Sequence, residues 1–159
     1  MGAINNLKET NIIFTKTNSD LNGKVINKMI DQFSSKHQKK TIVFSSLGQL
    51  RYLSALKHVD IVVGNSSSGL LEAPSFKTAT LNIGDRQKGR IKAKSIIDCL
   101  PKKKNILNSI SKIYSKNFQM SLKNIRNPYD QGLSSKKIIK VIKNYKLENI
   151  TKKIFFDLK

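Results

Sequence analysis

Apolar residues in the first hundred positions follow two rhythms. Short uninterrupted runs read as buried strands: Asn11-Ile12-Ile13-Phe14-Thr15, Thr41-Ile42-Val43-Phe44, Asp60-Ile61-Val62-Val63-Gly64, residues 78–83, and a fifth over 95–99. Between them the spacing lengthens to three and four. Leu21, Val25, Ile26, Met29, Ile30 and Phe33 predict an amphipathic helix over 20–36; Leu50, Leu53 and Leu56 predict a short one over 50–57, and a third follows over 69–76. Apolar strands that each lead into a helix predict an α/β fold, a doubly wound, Rossmann-like parallel sheet with helices on both faces. After Pro101 only helical spacing remains, over about 105–115, 118–125 and 135–146, with Asn127-Pro128-Tyr129-Asp130-Gln131-Gly132 as a loop bracketed by Pro and Gly. There is no internal repeat. The expected organisation is a leader over 1–10, one domain over 11–147 and a basic tail over 148–159.

The chain has 159 residues, enough for one domain with a real core and too few for two full-sized ones. A doubly wound enzyme seldom reaches its first strand within a dozen residues, so a fragment, or one half of a larger enzyme, is expected. No stretch approaches 18 apolar residues, which argues against a membrane-spanning helix. The opening MGAINNLKETN lacks the charged start and apolar run of a secretory signal, and Asn6 stands where a myristoylation pattern wants Ser or Thr. One cysteine, Cys99, allows neither an internal disulfide nor a thiolate cluster. The expectation is a cytoplasmic protein with no metal and no cofactor.

Charge changes the picture less than its size suggests. A formal net charge of +20 invites a nucleic acid or another anionic surface as partner. However, lysine outnumbers arginine 26 to 4, and arginine is the residue suited to bidentate phosphate and base recognition. The excess is concentrated at residues 101–159, net +12, where lysines alternate with apolar residues as a solvated helix face would. Lys, Ile and Asn together supply 61 residues, a bias suggesting codon drift as much as function. A Lys-rich binding module stays open as an alternative; nucleic acid is not the expected partner.

The arginines are more informative. In parallel α/β sheets ligands bind beyond the carboxyl ends of the strands. The third strand ends in Gly64-Asn65-Ser66-Ser67-Ser68-Gly69, where small residues let backbone N–H groups approach an anion and hydroxyls add donors. A helix starting near Gly69 would point its positive dipole end at that anion, with Glu72 one turn inside it, placed to accept from ribose hydroxyls. The fourth strand ends in Gly84-Asp85-Arg86-Gln87-Lys88-Gly89-Arg90, which brings two of the four arginines to the same edge. A nucleotide diphosphate fits this combination. A plainer reading is also available: Ser and Asn routinely cap helices, and Asp85 could pair with Arg86 or Arg90 and make the loop purely structural.

Residues Ser46-Leu47-Gly48-Gln49-Leu50, the run VDIVVGNSSSGLLEAPSFKTATLNIGDRQKGR, Ser95-Ile96-Ile97-Asp98-Cys99 and the NPYDQG loop closely resemble the C-terminal domain of UDP-N-acetylglucosamine 2-epimerases. The hydrolysing branch, which feeds sialic and related nonulosonic acid synthesis, is the most similar. The resemblance covers most of residues 11–145 and implies one half of a GT-B architecture, two Rossmann-like domains across a cleft. It implies a UDP site in which Ser66 and Ser67 contact the phosphates, Glu72 the ribose, Arg86 the diphosphate, and Tyr52 lies near the uracil. Tyr52 could equally pack on the sheet. Asn18 and Asp20 match a segment at the cleft floor and, with Arg90, are possible sugar or phosphate contacts; Asn and Asp also serve as turn and cap residues. The family reaction removes the proton on sugar C2, expels UDP to form a glycal, and hydrates it to N-acetylmannosamine. Its acid and base carboxylates lie in an N-terminal domain that this chain does not contain. The resemblance therefore implies a UDP-binding half, inactive without that domain or a partner chain, from an enzyme that is homo-oligomeric at full length. A half of another GT-B enzyme, such as a glycosyltransferase, is a third reading, since fold does not fix function.

Overall fold

A computed structural model of the chain describes residues 1–17, 23–130 and 132–148. They divide into two compact units, Met1–Tyr129 and the residues from Asp130 onward. In the first unit, strands β1 (Ile12–Thr15), β2 (Thr41–Phe44), β3 (Ile61–Gly64), β4 (Ala79–Ile83) and β5 (Ile96–Cys99) alternate with helices α1 (Gly23–Lys36), α2 (Gly48–Leu56) and α3 (Ser68–Leu71). Helices α4 (Lys103–Ile113) and α5 (Lys116–Leu122) close the unit. All five strands predicted from apolar runs are present, and every pairing is parallel. The ladders form two sheets, one of order β1-β2 and one of order β3-β4-β5.

Strand β4 explains why the fold has helices on both sides. Ala79, Thr80, Leu81 and Asn82 are each at most 2% exposed, so both of its faces are covered. Ala79 and Leu81 pack with Ile110 and Ile113 of α4 and Leu122 of α5, the main core. Thr80, on the opposite face by the two-residue alternation, donates its hydroxyl to the carbonyl of Gly69 in α3 at 2.9 Å. Around β1, Phe14 meets Phe33 of α1 edge to face, with ring centroids 5.8 Å apart. At the N-terminus, Ala3 is buried and Leu7 packs against the main core.

One predicted helix is much shorter than its spacing implies. The 69–76 segment makes a single α turn, Ser68–Leu71, then tightens into a 3-10 helix over Ala73–Phe76. Pro74 lacks the N–H that would continue the α ladder, and Lys77 ends the segment in the left-handed region at φ 58°. Glu72 thus lies at the end of α3, not one turn inside a longer helix. The expected dipole contribution shrinks accordingly, because four residues align few peptide units.

In the second unit, α6 (Ser134–Asn144) carries Lys136, Lys137, Lys140 and Lys143, while Ile138, Ile139, Val141 and Ile142 are each more than half exposed. The tail over 149–159 lies outside the described residues.

Candidate functional site

The register decides which loops meet. Gly64 at the end of β3 lies opposite Asn82 in β4, so these strands finish at the same edge. The serine loop over 65–68 and the arginine loop over 84–90 leave from that edge, although Ser66 and Arg86 are twenty positions apart in sequence.

In the serine loop, the hydroxyls are joined to each other and to α2. The Tyr52 phenol donates to Ser68 Oγ at 3.0 Å, and Ser68 Oγ lies 3.0 Å from Ser66 Oγ. The backbone N–H of Ser68 also donates to Ser66 Oγ at 3.4 Å. With the Tyr52 proton directed at Ser68, the Ser68 proton can pass to Ser66, which leaves the exposed Ser66 O–H free to donate outward. Each donor in such a chain polarises the next. Burial pushes the Tyr52 phenol up from its ordinary value; the bond to Ser68 pulls it back and the Glu72 carboxylate pushes it up again. Tyr52 therefore stays a proton donor throughout the physiological range.

The Ser67 hydroxyl is not used as a cap. Ser67 begins α3 with its carbonyl, which accepts from the N–H groups of Leu70 and Leu71 at 2.9 Å each, while its side chain makes no cap bond. The plainer reading of GNSSSG as a cap and tight turn describes Ser66, whose hydroxyl accepts from the Ser68 N–H, and not Ser67. Behind it, Asn127 of the NPYDQG segment donates to the Leu71 carbonyl and to Ser75 Oγ, both at 2.7 Å, and holds the far end of α3. The Tyr129 phenol donates to the carbonyl of Ile91 at 2.9 Å.

In the arginine loop, Gly84 and Gly89 at φ 83° and 81° permit the two reversals, and Lys88 N–H closes a turn on the Asp85 carbonyl at 2.7 Å. Arg86 and Arg90 are exposed. Among the described residues the ion pairs are Lys16–Asp31 and Lys92–Asp98, so Asp85 neutralises neither arginine. Gln87 is turned inward and donates to the Asn65 carbonyl at 2.8 Å, tying the two loops together. Gly84 and Asp85 also border an open hollow of about 410 Å³, completed by Asp98, Cys99, Leu100 and Pro101 at the end of β5. There Asp98 accepts from Asn82 at 2.6 Å and from Lys92 at 2.7 Å. Burial opposes its ionisation, but those two hydrogen bonds and the Lys92 charge bring its carboxyl below the ordinary value.

The structure thus gathers Tyr52 and Ser66 into one hydrogen-bonded group, with Ser67 beside it, and fastens that loop to the loop of Arg86 and Arg90. Glu72 ends α3 and acts on Tyr52 through its charge. Asn18 and Asp20 lie outside the described residues. Sequence reasoning missed Ser68, Gln87 and Asn127. Ser68 was visible only as the third of three serines, and nothing in a basic loop marks Gln87 as buried. Among the described residues no three His, Cys, Asp or Glu side chains cluster as a metal site would require, and no helix is long and apolar enough to cross a membrane.

Comparison with known proteins agrees with this architecture. A hydrolysing GDP/UDP-N,N'-diacetylbacillosamine 2-epimerase from Campylobacter jejuni is 44% identical over 98% of this chain, and polysialic acid biosynthesis protein P7 from Escherichia coli is 33% identical over 99%. The chain spans about 40% of the length of each. A crystal structure from Listeria monocytogenes, described as a UDP-N-acetylglucosamine 2-epimerase, superposes with a TM-score of 0.68 at 18% identity, covering 89% of this chain and 38% of that one. At that identity it supports the fold alone. The family profile described as UDP-N-acetylglucosamine 2-epimerase matches residues 1–143, nine-tenths of the sequence, and the chain belongs to that family.

Proposed function

We propose that this chain is the UDP-gripping part of a hydrolysing 2-epimerase whose substrate is UDP-N-acetylglucosamine or a di-N-acetylated relative. Ser66, Ser67, Glu72, Arg86 and Tyr52 hold the nucleotide, and Arg90, Asn18 and Asp20 reach the sugar or phosphate. The observation that supports this most is the pairing of a hydroxyl chain ending at Ser66 with a neighbouring loop whose two arginines make no ion pair among the described residues. Hydroxyl donors and unneutralised guanidinium groups on adjacent loops suit a diphosphate, which needs both hydrogen bonds and charge.

The chemistry follows from where charge develops. Elimination of UDP from the sugar builds negative charge on the departing diphosphate, and donors already fixed around it lower that barrier without reorganising. Arg86 supplies charge, Ser66 and Ser67 supply donors, and Glu72 receives the ribose hydroxyls. The acid and base that handle the sugar C2 proton belong to the remainder of the full-length enzyme or to a partner chain.

Thermal melting of the chain with UDP, UMP and GDP, at low and moderate salt, tests the reading. A shift with UDP that exceeds the UMP shift, survives salt and vanishes in Arg86→Ala is expected. The GDP arm matters because the Campylobacter relative carries both nucleotides in its name. Stabilisation that collapses with salt for every anion would instead indicate the lysine excess acting without selectivity. Equal UDP shifts in wild type and Arg86→Ala would refute the role of Arg86.

A further inference from the structure

The loop that carries the arginines has one inward side chain. Gln87 is 4% exposed, whereas Asp85, Arg86, Lys88 and Arg90 around it are exposed. Its Nε2 donates to the Asn65 carbonyl at 2.8 Å, and since that partner can only accept, the orientation of the amide is determined. Its Oε1 meets no donor among the described residues. No other side chain over 85–90 makes a hydrogen bond among those residues. Among the described residues a single side-chain hydrogen bond therefore ties the arginine loop to the serine loop, and it ends on the residue immediately before Ser66.

We propose that Gln87 is a positioning residue that sets the distance between the arginines of one loop and the hydroxyls of the other, so that both address one diphosphate. The inference deepens the nucleotide reading above and rests on it for its ligand. The physical requirement is preorganisation. A loop reversing at two glycines is free to swing, and cations that must be ordered at the moment of binding give up affinity to that ordering. Anchoring the loop through a buried side chain removes that loss and leaves the arginines themselves free for the anion. A backbone carbonyl suits the purpose, because no substitution at Asn65 removes it.

The test measures UDP binding by calorimetry for the 159-residue chain and two variants. Gln87→Leu puts an apolar side chain of similar size, without a donor, in its place; binding about tenfold weaker is expected, the order of loss for a broken buried hydrogen bond. Gln87→Glu supplies the readout that a space-filling role would not move. Its introduced carboxylate cannot donate to Asn65 and, buried beside a carbonyl, titrates above the ordinary value of about 4.3. Protonation restores a donor, so as pH falls from about 8 to about 5 its affinity relative to wild type recovers and overtakes that of Gln87→Leu. If Gln87→Leu binds as wild type does, or Gln87→Glu never exceeds it at low pH, the proposal is overturned. Should wild type bind no UDP, the nucleotide reading fails by itself, and amide hydrogen exchange over 85–90 decides on the anchor. Faster exchange in Gln87→Leu supports it, and unchanged exchange overturns it.

Discussion

Gly69 lies in the first turn of α3, just after the serine loop, and has no room for a side chain. A Cβ added there would stand 2.7 Å from Thr80 Cγ2, 3.5 Å from its Oγ1 and 3.7 Å from its Cβ. Carbon atoms in good contact lie about 3.5–4.0 Å apart, so roughly 1 Å must be found. Thr80 is 2% exposed, and its hydroxyl is committed to the Gly69 carbonyl at 2.9 Å. Rotating the threonine away would break that bond, worth about 1 kcal/mol, and moving the backbone instead costs about 1–3 kcal/mol. Alanine's helical advantage of about 0.8–1 kcal/mol offsets part of this. Gly69→Ala is therefore expected to destabilise the chain by up to about 2 kcal/mol, which for this size lowers Tm by as much as roughly 4–8 °C. Thr80→Ser deletes the offending methyl and keeps the hydroxyl, so the double variant should recover on the order of 1 kcal/mol relative to additivity. Urea melts of the four proteins give that coupling. Strict additivity would refute the contact as the cause and leave glycine at this position unexplained.

Tyr52→Phe removes the first donor of the hydroxyl chain while keeping the ring; UDP binding about three- to tenfold weaker with little change in Tm is expected, and unchanged binding would mean the chain ends at Ser68 without consequence. Acid melting addresses Asp98. Its folded carboxyl titrates below its ordinary value, so its contribution is present above the unfolded pKa and is lost as pH falls through the folded one. Asp98→Asn should therefore flatten the stability profile below the usual carboxylate range and leave its shape near neutrality unchanged. The Asp98 side chain is half exposed, so the effect is that of a screened surface bridge, at most about 1 kcal/mol.

The strands and most helices were legible because short apolar runs and three-four spacing report burial directly. Ile61-Val62-Val63 and Ala79 to Ile83 appear where their composition places them. The 69–76 segment misled because apolar spacing cannot see that Pro74 breaks the ladder, and the end of α3 at Leu71 moved Glu72 with it. The site was legible as two loops at one sheet edge, since glycine, serine and arginine clusters announce themselves. Its internal wiring was not. Gln87 and Asn127 act by reaching distant backbone carbonyls, of Asn65 and Leu71, and a carbonyl is present at every position whatever the residue. No pattern of residue types can mark it.

This explains what keeps such a site intact. Parallel pairing of β3 with β4 puts Gly64 beside Asn82, and a slip of one position would both exchange the faces of β4 and separate the two loops. Two contacts hold the alignment on either side of the serines. Thr80 is pressed against Gly69 just after them, and Gln87 is bound to Asn65 just before them. Ser66, Ser67 and Ser68 occupy the span between these points, and the hydroxyls of Ser68 and, through it, Ser66 are fixed from a third direction by Tyr52. The two fasteners are on different strand ends and act on different residues, so their losses should differ in kind. Loosening at Gly69 should show chiefly in stability, because the clash lies in the core; loosening at Gln87 should show chiefly in binding, because what it frees is the cationic loop.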